Sequence, residues 1–362
     1  MSDAAESIRE IRINPVVPSE SVLVATARGS RPREAEERVE RDTRSHVERC
    51  PFCRGNEAKT PPTIRAFPDE AQWTVRIVEN LYPVLGDDRH AGPLTLGLQQ
   101  VMDGYGRHEV VIDHHAHGIA IHEMSVDHLA DLLRVYQTRM AELYEGDERL
   151  RYVLVFKNFG PAAGASIPHT HSQIIAMPVV PENVQNELVH SREYYRKHRH
   201  CVFCSLIDEA LTFEATIYDR TSGQIRRQIN VGQYVVERGE RFIAVKPFAS
   251  RFEWEVHILP LAHHSDFLVC GAEDLRDFAL VLQRTMARLD AVIGGAQYNF
   301  FLHSRPRDPA YDDCGGSYHW HLEICPRTSI PTGFELGSGL FVSTISPEAA
   351  AERLRSVELP GP

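Results

Sequence analysis

Two histidines and a glutamine alternate in His169-Thr-His-Ser-Gln173, directly after a run of small residues that includes Gly164, Ala165 and Ser166. In an extended chain successive side chains point to opposite faces, so His169, His171 and Gln173 share one side and Thr170 and Ser172 the other. An imidazole titrating near its ordinary value of about 6.5 is largely neutral at pH 7 and keeps one lone pair. Such a nitrogen can attack phosphorus and split one group transfer into two through a phosphoramidate. His171 is the candidate nucleophile, and a backbone carbonyl accepting its other N–H would fix the tautomer. Gln173, Ser166 and the backbone of Gly164 and Ala165 are candidate donors to the transferring phosphoryl group. A loop without bulky side chains lets backbone N–H groups approach an anion.

The second chemical signal is metal-like. Among seven cysteines are two Cys-x-x-Cys pairs, Cys50/Cys53 and Cys201/Cys204, a spacing that in a reducing compartment points to metal rather than disulfides. Cys270, Cys314 and Cys325 show no such spacing and read as packing residues. Cys50 and Cys201 are 151 positions apart, His117 and His263 146, and His169 and His319 150. Near-constant offsets indicate an internal duplication. Each copy then offers a tetrahedral Cys₂His₂ zinc set: Cys50, Cys53, His117 and His169 in one, Cys201, Cys204, His263 and His319 in the other. Four protein ligands leave no place for a substrate water, so both sites are expected to be structural; iron is an alternative in the second. His114, His115 and His264 compete for the third position, and the repeat alignment favours His117 and His263.

These residues must be carried by a repeated set of elements. Tyr152–Phe156 is an apolar strand and Ile167–Met177 a second extended segment. Trp73–Val78 and His108–Ile112 read as strands before them, and Ser125–Glu145 as a helix with apolar residues at Leu129, Leu132, Leu133, Tyr136, Met140 and Leu143. In the second copy Arg241–Lys246, Trp254–Leu259, Tyr298–Leu302 and His319–Glu323 are strands, with a helix over Glu273–Ile293. Glu182–Lys197 is a helical connector, Thr332–Gly339 a glycine-rich loop, and Ser346 caps a last helix. With 362 residues, two domains are expected, 1–180 with the reactive histidine and 181–362 with the second metal site.

Composition limits the function classes. A formal charge of −11 argues against a nucleic-acid partner. No apolar stretch reaches membrane length and the first residues lack a signal-peptide pattern, so a cytoplasmic protein without a membrane partner is expected.

The ordered set Arg31-Pro32, Cys50-Pro-Phe-Cys53, Val78-Glu-Asn-Leu-Tyr-Pro83, Asn158 through Pro178, Cys201/Cys204 and Gly333-Phe-Glu-Leu-Gly337 resembles the galactose-1-phosphate uridylyltransferase family, the transferase branch of the histidine-triad superfamily, including its ADP-glucose phosphorylase subgroup. The resemblance implies an α+β fold of two tandem histidine-triad (HIT-like) motifs, antiparallel sheet with packed helices, usually in a homodimer. It implies double displacement through a nucleotidyl-histidine at His171, acting on a nucleotide sugar with sugar 1-phosphate or phosphate as second substrate. Asn80 then looks like a nucleoside contact, Asn158, Gly164, Ser166 and Gln173 like phosphate contacts, Glu335 like a sugar contact, and Arg31 falls in a matched substrate-side motif. The first reading is a UDP-glucose:hexose-1-phosphate uridylyltransferase of galactose metabolism. The alternative is an ADP-glucose or dinucleoside-polyphosphate phosphorylase, toward which Thr170 leans, since uridylyltransferases usually carry Pro there. A double zinc-knuckle binding protein is the non-enzymatic alternative. In the second copy His321 and Glu323 take the places of His171 and Gln173, and a carboxylate there would repel phosphate.

Overall fold

The computed structural model describes residues 8–30, 41–88 and 92–359; Arg31 lies outside them. In chain order come β1 (Arg9–Ile13), β2 (Ser21–Ala25), β3 (Thr63–Phe67), β4 (Val75–Glu79), a hairpin of β5 (Pro93–Leu96) and β6 (Gln99–Met102), and β7 (Arg107–Ile112). Then follow α1 (Val126–Gly146), β8 (Tyr152–Phe159), β9 (His171–Met177), α2 (Glu182–His198) and α3 (Val202–Thr212). A hairpin of β10 (Glu214–Tyr218) and β11 (Ile225–Asn230) precedes β12 (Val235–Arg238), β13 (Phe242–Val245) and β14 (Val256–Pro260). The chain ends with α4 (Ala272–Ile293), β15 (Tyr298–His303), β16 (His321–Pro326), α5 (Gly333–Ser338), β17 (Phe341–Ser343) and α6 (Pro347–Arg355).

Ten strands form one antiparallel sheet in the order β12-β13-β14-β16-β15-β8-β9-β7-β4-β3. Read from either edge inwards, each copy follows the same path: three strands in sequence, then the fifth, then the fourth at the centre. The copies meet where β15 pairs with β8, with Asn299 opposite Asn158 and Phe301 opposite Phe156. The α+β expectation holds, with the repeats fused through backbone hydrogen bonds.

One face of the sheet is dry. Val75, Val111, Val153, Ile174, Val256, Leu302 and Leu322 pack there against α1 and α4. All six apolar positions predicted for the first helix are buried in it, and Ser125 Oγ accepts the His128 amide at its N-terminus. A cap of this kind stabilises a helix by about 1 kcal/mol. Each fully buried leucine adds about 1.5–3 kcal/mol, so this layer holds the sheet rigid under the opposite, functional face.

Three local expectations are corrected. The second extended segment becomes a strand only at His171, where pairing with Ile112 begins; Pro168 has no N–H to offer a ladder. The Cys201 pair is not a second turn-like knuckle, because Cys201 is the N-cap of α3 and Cys204 lies in its first turn. The glycine-rich stretch 332–339 contains α5, whose capping box joins Thr332 and Glu335.

Candidate active site and metal centres

The first metal set assembles as expected. Cys50, Cys53, His117 and His169 are buried with their ligand atoms within 4.8 Å of one another. Cys53 Sγ lies 3.5 Å from His117 Nδ1 and 3.6 Å from His169 Nδ1, and Cys50 Sγ 3.6 Å from His169 Nδ1. Zinc–sulfur bonds of about 2.3 Å and zinc–nitrogen bonds of about 2.0–2.1 Å in a tetrahedron require sulfur–nitrogen separations of about 3.6 Å. The donor set therefore fits zinc. Asn56 Nδ2 holds the turn by donating to the carbonyls of Val47, Glu48 and Cys50. His169 Nε2 donates to the His114 carbonyl at 2.8 Å, and His117 Nε2 faces Asp42 at 3.3 Å, which turns both Nδ1 lone pairs inward. Burial brings His169 down to about 4, keeping it the neutral ligand a metal needs.

The second set, Cys201, Cys204, His263 and His319, also converges, with Cys204 Sγ 3.2 Å from His263 Nδ1 and 3.6 Å from His319 Nδ1. Their Nε2 atoms donate to the carbonyls of Gly315 and Pro260, each at 2.9 Å. This set is more exposed than the first. Among the described residues none of His114, His115 and His264 joins a metal-ligating cluster; the rings of His114 and His115 stack on each other with centroids 4.3 Å apart.

His171 begins β9 beside the first set. Its Nδ1 donates to the His169 carbonyl at 2.8 Å, so the tautomer is fixed and Nε2 carries the lone pair. The residue is 8% exposed and its ring meets the Phe52 ring edge-on at 5.2 Å. Burial, and then the charge of Lys157, lower its pKa, so it is neutral at pH 7. Thr170 and Ser172 point the other way, into a buried network. Lys157 Nζ donates to Asp113 Oδ2 at 2.6 Å, Thr170 Oγ1 at 2.8 Å and the His171 carbonyl at 2.9 Å. Ser172 Oγ donates to Asp113 Oδ2 at 3.0 Å and lies 2.6 Å from the Tyr136 hydroxyl.

Gln173 is oriented from β7. The Val84 amide donates to His108 Nδ1 at 3.2 Å, so His108 Nε2 bears the proton and donates to Gln173 Oε1 at 2.8 Å. Among the described residues the Gln173 amide N–H groups donate to no other protein group. Asn80 stands alongside, its Nδ2 3.5 Å from Gln173 Oε1 and its Oδ1 accepting the Tyr82 amide. Ser166 is exposed in the loop. The Gly164 and Ala165 amides, expected to face phosphate, donate instead inside the turn to the Pro161 and Gly160 carbonyls. Asn158 accepts from Asn299 and lines a 580 Å³ groove with Phe156, Phe301 and Arg327. Glu335 makes none of these contacts among the described residues; its carboxylate accepts from the Thr332 amide and hydroxyl at the start of its own helix.

Sequence reasoning missed His108, Lys157, Asp113 and Asn299. Lys157 did carry a signal, as a lone cation continuing an apolar strand. In the second copy His321 Nδ1 likewise donates to the His319 carbonyl, at 3.1 Å, but its Nε2 faces Glu323 and Glu187 at 3.5 and 3.8 Å. Arg251 bridges Glu323 and Glu255. That floor is acidic where the first copy offers amide donors.

Residues 2–181 match the family model described as galactose-1-phosphate uridyl transferase, N-terminal domain. An ADP-glucose phosphorylase of Arabidopsis thaliana is 28% identical over 354 residues, 97% of this chain and 93% of that protein. A galactose-1-phosphate uridylyltransferase of Thermotoga maritima is 27% identical over 363 residues, 97% of this chain and 99% of the other. The crystal structure of an Arabidopsis thaliana ADP-glucose phosphorylase with bound ADP-glucose superposes with a TM-score of 0.80 at 27% identity, covering 97% of this chain and all of that one.

Proposed function

The chain belongs to the galactose-1-phosphate uridylyltransferase family and is one of its nucleotidyltransferases; on that premise we propose that it works by double displacement through His171. Nε2 attacks the α-phosphorus of a nucleoside diphosphate sugar, the bond to the bridging oxygen breaks, and sugar 1-phosphate leaves. A phosphate oxygen of the second substrate then attacks the nucleotidyl-histidine and His171 is regenerated neutral. The observation that carries this reading is the His171 tautomer, fixed by the Nδ1 hydrogen bond to the His169 carbonyl so that the lone pair sits on Nε2, two residues before the oriented Gln173 amide. Zinc at the first set would supply a fixed anchor for His169, and hence for the start of the nucleophile's strand.

For the donor we favour ADP-glucose over UDP-glucose, with phosphate as acceptor. Support comes from Thr170 within the histidine motif and from the whole-chain likeness to a phosphorylase solved with ADP-glucose. The uridylyl reading is supported by the Thermotoga maritima relative at nearly the same identity. The groove beside Asn158 suits the sugar. Exposed Phe334 and Leu336 flank Glu335, and Leu94, Leu96 and Leu98 project from the β5–β6 hairpin. These apolar surfaces support the homodimer.

Turnover with ADP-glucose or UDP-glucose, each with phosphate or galactose 1-phosphate, tests the proposal. Glucose 1-phosphate released from ADP-glucose by phosphate is expected. Turnover confined to UDP-glucose with galactose 1-phosphate would establish the uridylyl reading, and no turnover with any pair would refute nucleotidyl transfer from these sugars.

A further inference from the structure

Among the described residues the second copy faces its own His321 with carboxylates, yet its central strand reaches the loop that follows the first copy's β8. Asn299 of β15 stands opposite Asn158 of β8. Its Nδ2 donates to Asn158 Oδ1 at 2.8 Å and to the Ala163 carbonyl at 2.9 Å. Two positions earlier, Gln297 Oε1 accepts the Ala162 amide at 2.7 Å. Gln297 also lies tight against Gly160, which has a φ of +85° and where a Cβ would come within 2.5 Å of the Gln297 side chain. The turn between these contacts is closed by the Ala163 and Ala165 amides donating to the Gly160 carbonyl.

We propose that Gln297 and Asn299 are positioning residues for nucleotidyl transfer, supplied by the second copy to set the phosphate loop and the amide of Asn158. The proposal rests on the reading given above. An asparagine amide has nearly isosteric ends, and only the N–H₂ end attracts a phosphate oxygen. Asn299 removes that ambiguity. Both its amide hydrogens are engaged, one by the Ala163 carbonyl, so it cannot turn over without setting its own oxygen against that backbone acceptor. Asn158 must therefore present oxygen to Asn299 and N–H₂ to the groove. Gln297 acts on the other side of the turn, fixing Ala162 and, through it, the approach of Ser166. The retained role of the second copy is thus to hold the donors that its own acidic floor no longer provides.

A double-mutant cycle tests this. Asn299→Leu keeps the side chain's size and removes the donor; kcat/KM for the nucleotide sugar should fall roughly 10- to 100-fold, the loss expected for disordering one transition-state donor. In an Asn158→Leu background the same change should cost less than about twofold, because Asn299 acts through Asn158. Affinity measured in the His171→Ala protein should fall in parallel for Asn299→Leu, with zinc content and thermal midpoint near wild type. Independent, multiplicative losses would overturn the proposal. Gln297→Glu keeps an acceptor for Ala162 and should retain far more activity than Gln297→Leu; wild-type activity in Gln297→Leu would overturn the proposal even if Asn299→Leu failed to fold. Failure of the underlying reading is separate, since it would appear as a wild-type protein that forms no nucleotidyl-histidine.

Discussion

The ammonium of Lys157 lies 2.9 Å from the carbonyl oxygen of His171 and 2.6 Å from Asp113 Oδ2, with both charged side chains wholly buried. A fully buried ion pair is often no more stabilising than apolar residues of the same size, yet removing one partner alone strands a charge. Its position beneath His171, the proposed nucleophile, explains its presence better than stability does. Lys157→Met alone should cost about 3–5 kcal/mol in unfolding free energy. The double variant Lys157→Met/Asp113→Leu should recover most of that. Denaturant unfolding should separate the two, while the rate of nucleotidyl transfer stays at least about tenfold low in the double variant because Thr170 and the His171 carbonyl have lost their anchor.

Metal content gives a second prediction. Elemental analysis of the purified chain should find two zinc ions, or one zinc and one iron. Cys53→Ser should remove one ion and most of the transfer, since His169 shares the peptide unit that fixes His171. Cys204→Ser should remove the other ion, lower the thermal midpoint and leave transfer less affected.

The two histidine motifs differ in what faces Nε2. His171 is followed on its strand by the Gln173 amide, whereas His321 meets Glu323 and Glu187, which would repel an approaching phosphate. His321→Ala should therefore form the nucleotidyl adduct at near the wild-type rate, and His171→Ala should form none. Equal losses in intact-mass kinetics would place chemistry in both copies.

Stability should respond to pH through Glu187 and His303, paired at 2.9 Å in the core. Despite burial, the carboxylate raises the His303 pKa above its ordinary value. A histidine with a raised folded pKa stabilises fully below its unfolded value of about 6.5, and that contribution is lost as pH climbs through the folded value. The thermal-midpoint gap between wild type and Glu187→Gln should be widest near pH 6 and shrink toward alkaline pH. A gap that grows with pH would contradict the pairing.

Much of this was legible because spacing survives folding. A 150-residue offset between His169 and His319 corresponds to two five-strand copies of one path, and alternation in His169-Thr-His-Ser-Gln173 separated the histidines from Thr170 and Ser172, which pack on Lys157 and Asp113. What sequence could not show was pairing between distant positions. Asn299 stands opposite Asn158 only because the copies fuse at β8 and β15, and no local pattern encodes that register. His108 looked like one more strand residue until β7 packed beside β9. The loop amides of Gly164 and Ala165 were misplaced because the turn closes on itself, which composition does not reveal.

The central claim is that His171 Nε2 carries the nucleotidyl group, and intact-protein mass spectrometry with peptide mapping tests it most directly. After mixing with ADP-glucose without acceptor, the protein should gain one AMP on the peptide containing His171, lose it on adding phosphate, and gain nothing in His171→Ala. A UMP adduct from UDP-glucose at the same residue would keep the mechanism and change the donor. An adduct on any other residue, or turnover that persists in His171→Ala, would contradict the account.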